Sequence, residues 1–244
     1  MKTVIVTGAS RGIGAAVVRA LRARDTRVIG VARSSDALQK MSMEKMNGGK
    51  FEFVSGDITD AAVRRQCIDL AACDGALDGL VLNAAVLEPF ARTIDFDDRL
   101  LDNHINVNIT SQIKLIREAL PALRSAHGKI IFVTSGIVDH PMPGWSLYAA
   151  SKAAIQTLFK CLSMEEPSIT CVCVRPGIVD TQMVHEAHAK AAEVMGDQGK
   201  QWLDNLRNSN GLLSAEVPGE AISKLVLEAP PKLSGKCISF NDKW

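Results

Sequence analysis

The segment Thr7-Gly8-Ala9-Ser10-Arg11-Gly12-Ile13-Gly14 is the strongest local indicator of the fold class. It follows a short apolar run at 3–7 that is typical of a β-strand, and it precedes a helical segment at 15–22. Glycines permit backbone conformations and close approaches that a Cβ would block, and the first turn of a helix presents free N–H groups to a phosphate. Such a turn also occurs in ordinary loops, but its place between strand and helix favours a pyrophosphate-binding site.

The rest of the chain alternates strand-like and helical segments. The strand-like segments are mostly continuous Val-, Ile- and Leu-rich runs, which suit parallel strands buried on both faces. They lie at 3–7, 27–32, 51–55, 79–83, 129–134, 170–175 and 236–240. The pattern predicts an α/β fold, with one doubly wound parallel sheet of about seven strands over residues 1–244. An Ala-, Lys-, Glu- and Met-rich segment at 180–213 predicts a helical insertion that covers the site.

Composition narrows the class of partner. Lysine and arginine total 28 against 27 for aspartate and glutamate, so no strong field favours nucleic acid or a charged membrane. We therefore expect a small-molecule partner. The six cysteines form no Cys-x-x-Cys pair and are predicted to be free thiols. The N-terminal residues show no basic leader, and the apolar stretches fall short of the roughly 20 residues that span a bilayer, which predicts a cytoplasmic protein.

Tyr148 and Lys152 are the candidates for chemistry. Four residues apart on a helix, their side chains share one face. A phenol with an ordinary pKa of about 10 is a poor acid at neutral pH, and a neighbouring ammonium would lower that pKa. Ser135 lies upstream and supplies a hydroxyl. The three residue types together predict a proton-transfer site next to the dinucleotide.

The end of the second predicted strand distinguishes the two nicotinamide cofactors. The segment Gly30-Val31-Ala32-Arg33-Ser34-Ser35 holds an arginine and no carboxylate before Asp36. An acidic residue there would bind a ribose 2′-hydroxyl, whereas arginine pairs with a 2′-phosphate. Arg33, helped by Arg11 and a hydroxyl of Ser34 or Ser35, therefore predicts NADP(H). The alternative is a solvated surface arginine.

These motifs together resemble the short-chain dehydrogenase/reductase family. The resemblance is carried by Thr-Gly-x-x-x-Gly-x-Gly at 7–14, Asn83-Ala84-Ala85, Asn108, Ser135, Tyr148-x-x-x-Lys152 and Pro176-Gly177. It implies a Rossmann-type catalytic domain in which Tyr148 is the general acid and Ser135 orients the carbonyl oxygen. Lys152 would hold the nicotinamide ribose, and Asn108 would support a water that bridges Lys152 to solvent. Ala85 and Arg175 depart from the Asn-Ala-Gly and Asn-Pro-Gly that are usual in the family.

The same resemblance implies the cofactor contacts. Asp57 and Ile58 would flank the adenine, Asn83 and Ala84 the adjoining ribose, and residues 176–181 the nicotinamide, with Val179 and Thr181 at its carboxamide. The complete predicted set is Gly8, Ser10, Arg11, Gly12, Ile13, Gly14, Arg33, Ser34, Asp57, Ile58, Asn83, Ala84, Tyr148, Lys152, Pro176, Gly177, Val179 and Thr181.

A narrower resemblance links segments 87–89, 144–146, 165–167 and 176–183 to the fungal and bacterial benzil reductases, themselves similar to sepiapterin reductases. It implies NADPH-dependent reduction of an activated or aromatic ketone of benzil type. The alternatives are a sepiapterin-type or other ketone reductase, and a non-catalytic NADP(H)-sensing protein. Family members often form homo-dimers or homo-tetramers, which we expect here too.

The substrate pocket is predicted to be apolar and to lie in the loops after strands four, five and six. Its predicted members are Leu87, Ile137, Met142, Pro143, Trp145, Met183 and Trp202. Trp145 is either a pocket wall or simple packing. His104 and His140 are interpreted as structural, and no metal site is assigned to His185 and His188 because further ligands are lacking nearby.

Overall fold

A computed structural model describes residues 1–45, 48–73, 75–209 and 211–244. Within these ranges seven strands form one parallel sheet in the order β3-β2-β1-β4-β5-β6-β7. The strands are β1 (Thr3–Thr7), β2 (Arg27–Ala32), β3 (Phe51–Ser55), β4 (Gly79–Leu82), β5 (Lys129–Val133), β6 (Thr170–Arg175) and β7 (Cys237–Ser239). The predicted α/β fold with a doubly wound parallel sheet is confirmed.

Helices cover both faces of the sheet. They are α1 (Gly12–Arg22), α2 (Ser35–Met43), α3 (Ala61–Ala71), α4 (Asp98–Ile105), α5 (Ser111–Ala126), α6 (Ser146–Glu165), α7 (Gln182–Asn208) and α8 (Glu216–Glu228). A π-helical turn, Asn106–Thr110, joins α4 to α5.

Alternation along each strand divides the core into two layers. In β1, Val4 and Val6 belong to the layer under α1 and α8, whereas Ile5 belongs to the layer under α3, α5 and α6. In β6, the even-numbered valines take the first layer, and Cys171 and Cys173 take the second. Both cysteines are fully buried free thiols, so the predicted core role is confirmed. Successive side chains in a strand point to opposite faces, which is why near-continuous apolar runs were needed.

The predicted strands differ from the observed ones only at their ends. Strand β4 ends one residue earlier than predicted, at Leu82, and β5 also ends one residue earlier, at Val133. Strand β7 is two residues shorter than the predicted 236–240. Backbone bonds from Cys173 N to Lys236 O and from Phe240 N to Arg175 O still flank it, so the chain continues alongside β6 beyond the regular ladder.

The insertion at 180–213 consists mainly of α7, which has a break at Gly196, where φ is 72°. His188 Nε2 and Asp204 Oδ1 lie 2.6 Å apart although 16 residues separate them. A straight helix would put them about 24 Å apart, so the two halves of α7 fold back on each other. A backbone bridge between Val179 and Leu213 closes the base of the insertion. Residue 210, within this range, lies outside the described residues.

The order of the strands in the sheet indicates where a ligand would bind. Strand β1 pairs with β2 on one side and with β4 on the other, so the chain reverses its winding direction between β1 and β4. In doubly wound sheets the crevice outside the carboxyl ends of the strands at this reversal is where ligands bind. The glycine turn follows β1, and Asn83 follows β4.

Candidate active site

The glycine turn (residues 7–14) is packed too tightly for any other residue at two positions. A Cβ on Gly14 would lie 2.1 Å from the carbonyl oxygen of Gly8 and 2.7 Å from Nδ2 of Asn83. Gly8 itself has φ of 68°, a region that side chains other than glycine rarely adopt. The turn therefore brings the start of α1 directly against the ends of β1 and β4.

Thr7 and Asn83 hold the turn in place. Thr7 Oγ1 accepts hydrogen bonds from the backbone N–H groups of Asn83 and Ala84, each 2.9 Å long, and donates one of 3.3 Å to Val81 O. Asn83 Nδ2 donates to Thr7 O at 2.9 Å. The side chains of Thr7 and Asn83 thus join the two strand ends across the reversal. Thr7 opens the glycine-rich motif, and its position in the sequence alone did not indicate this role.

The first turn of α1 fits a pyrophosphate. Among the described residues no side chain caps this helix end, and its first turn holds no acidic residue. The free N–H groups and the helix dipole would therefore favour an anion that approaches between Gly8 and Gly14. Ser10 is half-buried in the turn, and Ile13 packs against the core layer under α1.

The loop after β6 lies against the glycine turn. A Cβ on Gly12 would lie 3.2 Å from Cγ2 of Thr181. Gly177 has φ of 79° and touches Leu213, and the buried Val179 pairs with Leu213 through the backbone. Pro176 is buried at the start of this loop. The residues predicted for the nicotinamide end are therefore brought next to those predicted for the pyrophosphate.

The two arginines predicted for the 2′-phosphate have different surroundings. Arg33 is exposed at the end of β2 and makes no hydrogen bond or ion pair with any residue that the structure describes. Arg11 instead donates to Oε1 of Gln182 in α7. Ser34 is exposed just before α2. The structure thus leaves Arg33 available, whereas Arg11 connects the glycine turn to the insertion.

The residues predicted for the adenine follow β3. Asp57 Oδ1 accepts from the backbone N–H and the hydroxyl of Thr59, at 2.9 and 2.8 Å, which fixes the carboxylate within its own turn. Ile58 is buried, and its carbonyl accepts a 3.0 Å bond from Arg64. The same edge of the sheet carries both residues and the end of β2, because β2 pairs with β3.

Tyr148 and Lys152 lie on one face of α6, as predicted, and both are buried. Lys152 Nζ is 5.4 Å from the centre of the Tyr148 ring and donates a 2.8 Å bond to Val133 O at the end of β5. Burial lowers the pKa of Lys152 to about 8. Burial also raises the pKa of Tyr148 above its usual range. Burial sets the direction of this shift, and a lowering of the phenol pKa by Lys152 stays a prediction.

Ser135 directly precedes a short turn that packs against α6, and Asn108 lies in the π-helical turn that also packs against α6. Ser135 follows β5, is half-buried, and its Oγ accepts a 3.2 Å bond from Ile137 N. Asn108 lies in the π-helical turn and is fully buried. Its Oδ1 accepts from Val86 N and its Nδ2 donates to Val86 O, both at 2.9 Å. Asn108 therefore fixes the loop after β4 through two backbone bonds.

His104 completes a buried polar network behind Tyr148. Its Nδ1 lies 2.8 Å from Glu88 O, and its Nε2 lies 2.8 Å from Asn108 Nδ2. Since an amide nitrogen donates, Nε2 accepts and Nδ1 carries the proton. Burial lowers the pKa of His104, which keeps the ring neutral. Its ring meets that of Tyr148 edge to face at 6.2 Å, so the predicted structural role extends to packing against the candidate acid.

An apolar cluster covers Tyr148. Its buried members are Leu87, Phe90, Ile137, Trp145, Tyr148, Ala187, Ala191, Met195 and Leu203, and Met142 and Met183 pack against it. Phe90 was missed in the sequence. Pro143 and Trp202, which were predicted for the pocket, are exposed and lie outside this buried cluster. Trp202 and Leu206, four residues apart, share a side of α7 and line one cavity with Asn205.

Comparison with known proteins decides the family. A family model described as short chain dehydrogenase matches residues 2–192. The chain belongs to the short-chain dehydrogenase family. An uncharacterized oxidoreductase of Saccharomyces cerevisiae, YIR035C, is 35% identical over 99% of this chain and 96% of its own length. Its crystal structure matches with a TM-score of 0.94, over 99% of this chain and 97% of that one.

Two further relatives of this short-chain dehydrogenase are informative. The protein named benzil reductase ((S)-benzoin forming) IRC24, of Saccharomyces cerevisiae, is 34% identical over 99% of this chain and 97% of its own length. The crystal structure of KRED1-Pglu enzyme, 35% identical, matches with a TM-score of 0.92 over 97% of this chain and the whole of that one. The predicted resemblance to the family and to its benzil reductases is therefore confirmed.

The remaining residues of this short-chain dehydrogenase are the two that depart from the usual family motifs and two histidines of the insertion. Arg175, in place of the usual asparagine, pairs with Asp139 at 2.7 Å and so ties the end of β6 to the loop after β5. Ala85 packs against the apolar cluster. His185 pairs with Asp180, and His188 pairs with Asp204. In the described part of the chain no helix has the length and apolar character needed to cross a membrane.

Proposed function

We propose that this protein is an NADPH-dependent carbonyl reductase whose substrate is an activated or aromatic ketone of benzil type. One observation carries the proposal. Tyr148 and Lys152 lie buried side by side, at the end of the sheet where the glycine turn would present a dinucleotide, beneath an apolar cluster that contains Phe90 and Trp145. A proton donor, a cation and an apolar cover are thus combined at the edge where a cofactor would bind.

The chain's own residues fit the cofactor. The glycine turn and the first turn of α1 would hold the pyrophosphate, and Arg33 would pair with a 2′-phosphate. Lys152 would hold the nicotinamide ribose through its ammonium. When bound, the reduced nicotinamide supplies the hydride.

Tyr148 would donate the proton. Reduction adds a hydride to the carbonyl carbon and a proton to the carbonyl oxygen, which gives an alcohol and the oxidised cofactor. The phenol is protonated near neutral pH, as a general acid must be, and Lys152 beside it would lower the pKa that burial raises. Ser135 would donate its hydroxyl proton to the same oxygen as a hydrogen bond, and so orient the carbonyl.

The apolar cluster supports the class of substrate. Its aliphatic and aromatic side chains, which surround Tyr148, would lie against apolar substituents of a substrate. The rings of Phe90 and Tyr148 each pack edge to face against Trp145. The name of the yeast relative, benzil reductase, fits this chemistry. The protein's location in the cytoplasm and its assembly as a homo-dimer or homo-tetramer stay predictions.

The catalytic part of the proposal is tested with a panel of ketones and NADPH, followed by the loss of absorbance near 340 nm. We expect wild type to reduce benzil, and Tyr148→Phe to be slower by about 10²- to 10⁴-fold with its fold intact. His140→Gln, a change at an exposed position in the loop after β5, is the control and keeps full activity. Equal rates for wild type and Tyr148→Phe would contradict the role of Tyr148. No turnover by wild type on any ketone would favour the NADP(H)-sensing alternative.

The cofactor part is tested with Arg33→Ala. Losing a charge-assisted pair to a 2′-phosphate costs about 1.5–3 kcal/mol, so we expect NADPH binding to weaken by about 10- to 100-fold while NADH binding is unchanged. Arg117→Ala, which removes an exposed arginine of α5, controls for the change in net charge. Isothermal titration with both cofactors measures the effect. Equal losses for NADPH and NADH would refute the role of Arg33.

A further inference from the structure

Trp145 is held rigidly at the start of α6. Its backbone N–H donates to Met142 O at 3.2 Å, and its carbonyl accepts from Ala149 N at 2.7 Å. Its ring meets Phe90 edge to face at 5.3 Å and Tyr148 at 5.8 Å, each with planes 72° apart. The indole, only 9% exposed, is therefore fixed between an apolar wall and the candidate acid.

The indole N–H of Trp145 lacks a partner. Its Nε1 is buried, and no residue in the described ranges accepts a hydrogen bond from it. A buried donor without an acceptor costs about 1–3 kcal/mol, and buried tryptophan N–H groups usually find one. Its neighbours in the apolar cluster, such as Leu87, Ile137 and Met195, offer only hydrocarbon and thioether groups. The side chains packed in this cluster therefore supply no acceptor for the indole N–H.

The side chains of Trp145 and Tyr148, the two side-chain donors of this cluster, are neighbours. Trp145 directly precedes α6, three residues before Tyr148, and the centres of their rings lie 5.8 Å apart. The phenol O–H is proposed above to protonate the carbonyl oxygen of the substrate. A second donor beside it suits a second oxygen close to the first.

We propose that the indole N–H of Trp145 binds a second oxygen on the carbon next to the reduced carbonyl, and so selects 1,2-diketones over simple ketones. The inference rests on the proposed function and narrows its substrate class. The diketone brings the acceptor that the buried donor lacks, and its apolar substituents lie against Leu87, Phe90 and Ile137. A ketone without the second oxygen leaves the indole N–H unpaired in the complex. The difference in affinity is therefore built into the pocket.

A matched pair of substrates tests the inference kinetically. Benzil and deoxybenzoin share the two phenyl rings, but deoxybenzoin lacks the second oxygen. For Trp145→Phe we expect kcat/KM with benzil to fall tenfold or more, while kcat/KM with deoxybenzoin changes less than threefold. Phe90→Leu trims the same cluster without removing a donor, and it should affect both substrates alike. An equal effect of Trp145→Phe on the two ketones would overturn the inference and leave the proposed function standing.

A spectroscopic arm decides the inference independently of turnover. The chain has three tryptophans, so the indole ¹H–¹⁵N signal of Trp145 is identified by its loss in Trp145→Phe. With the oxidised cofactor present to prevent reaction, we expect benzil to move this signal downfield and deoxybenzoin to leave it near its original position. Identical responses to both ketones would overturn the inference. If wild type reduces neither ketone, the proposed function fails, and this arm still decides whether the indole binds the second oxygen.

Discussion

The glycine turn and the insertion at 180–213 lie on the same site but are held in different ways. The glycine turn is fixed by the backbone, through glycines that admit no Cβ and through the bonds of Thr7 and Asn83 to main-chain atoms. The insertion is tied to the sheet side at its base, through Val179 and Leu213, and elsewhere packs through apolar side chains such as Ala187, Ala191 and Leu203.

This difference assigns cofactor binding to the glycine turn and the choice of substrate to the insertion. A backbone-held turn keeps one shape, which suits a cofactor that all turnovers share. A helix packed through side chains changes its inner surface with each substitution, which suits the choice of substrate. Arg11 connects the two regions by its hydrogen bond to Gln182. The comparison predicts that changes in the glycine turn affect cofactor binding and that changes in the insertion affect the substrate.

The largest expected effect is a loss of NADPH affinity, which a change at one glycine should cause and a change at another should not. Gly14→Ala forces a Cβ against Gly8 O and Asn83 Nδ2, and we expect NADPH binding to weaken by at least about 100-fold, equivalent to about 3 kcal/mol of overpacking. At Gly196, in the insertion, a Cβ would meet nothing within 4 Å. Gly196→Ala should therefore add backbone strain and leave NADPH binding unchanged. Titration with NADPH measures the affinity of both variants. Comparable losses of affinity would show that the glycine turn and the insertion do not differ in this way.

The second expected effect is a pH dependence of the free energy of unfolding, which Lys152 should cause and Lys190 should not. The folded-state pKa of Lys152 is lowered to about 8 from 10.5, so the unfolded chain holds the proton more tightly. Stability from this group is therefore missing below pH 8 and is gained as the pH rises to 10.5, by up to about 3 kcal/mol. Relative to Lys152→Met, the free energy of unfolding of wild type should rise over that window in urea titrations. Relative to Lys190→Met, at an exposed position in α7, it should stay level. If the difference in the free energy of unfolding between wild type and Lys152→Met were also independent of pH, the burial of Lys152 would be contradicted.

The smallest expected effect on function, a several-fold change in KM, separates two leucines. Leu21 lies in the sheet core, and Leu21→Ala should lower the free energy of unfolding by about 2–5 kcal/mol without changing the KM for benzil. Leu203 lies in the apolar cluster, and the insertion can open locally, so Leu203→Ala should cost less global stability and raise that KM several-fold. Urea unfolding and steady-state kinetics measure the pair. A larger global loss from Leu203→Ala would show that the insertion belongs to the main core.

The glycine turn was predictable because its signals are local. Glycine spacing, an apolar strand before it and a helix after it lie within about 20 residues, and the strands were located to within one or two positions. Tyr148 and Lys152 were placed correctly because four residues make about one helical turn. Their pKa values were not predicted, because burial depends on elements distant in sequence.

The insertion was predictable only as a helical segment. Composition indicated α7 but did not show which side of it faces Tyr148, so Trp202 was placed in the pocket and Phe90 was missed. The π-helical turn around Asn108 and the network through His104 carry no sequence signal that we recognise. Both depend on which loops and helices meet behind α6.

The central claim, proton donation by Tyr148 to a carbonyl that receives a hydride from the cofactor, is tested most directly by isotope transfer. NADPH carrying deuterium at the transferred position of C4 is mixed with benzil and wild type or Tyr148→Phe, and the alcohol is analysed by mass spectrometry. We predict one deuterium on the carbinol carbon with wild type, and formation of that product at least about 100-fold more slowly with Tyr148→Phe. Unlabelled alcohol from wild type, or equal rates with the two proteins, would contradict the account.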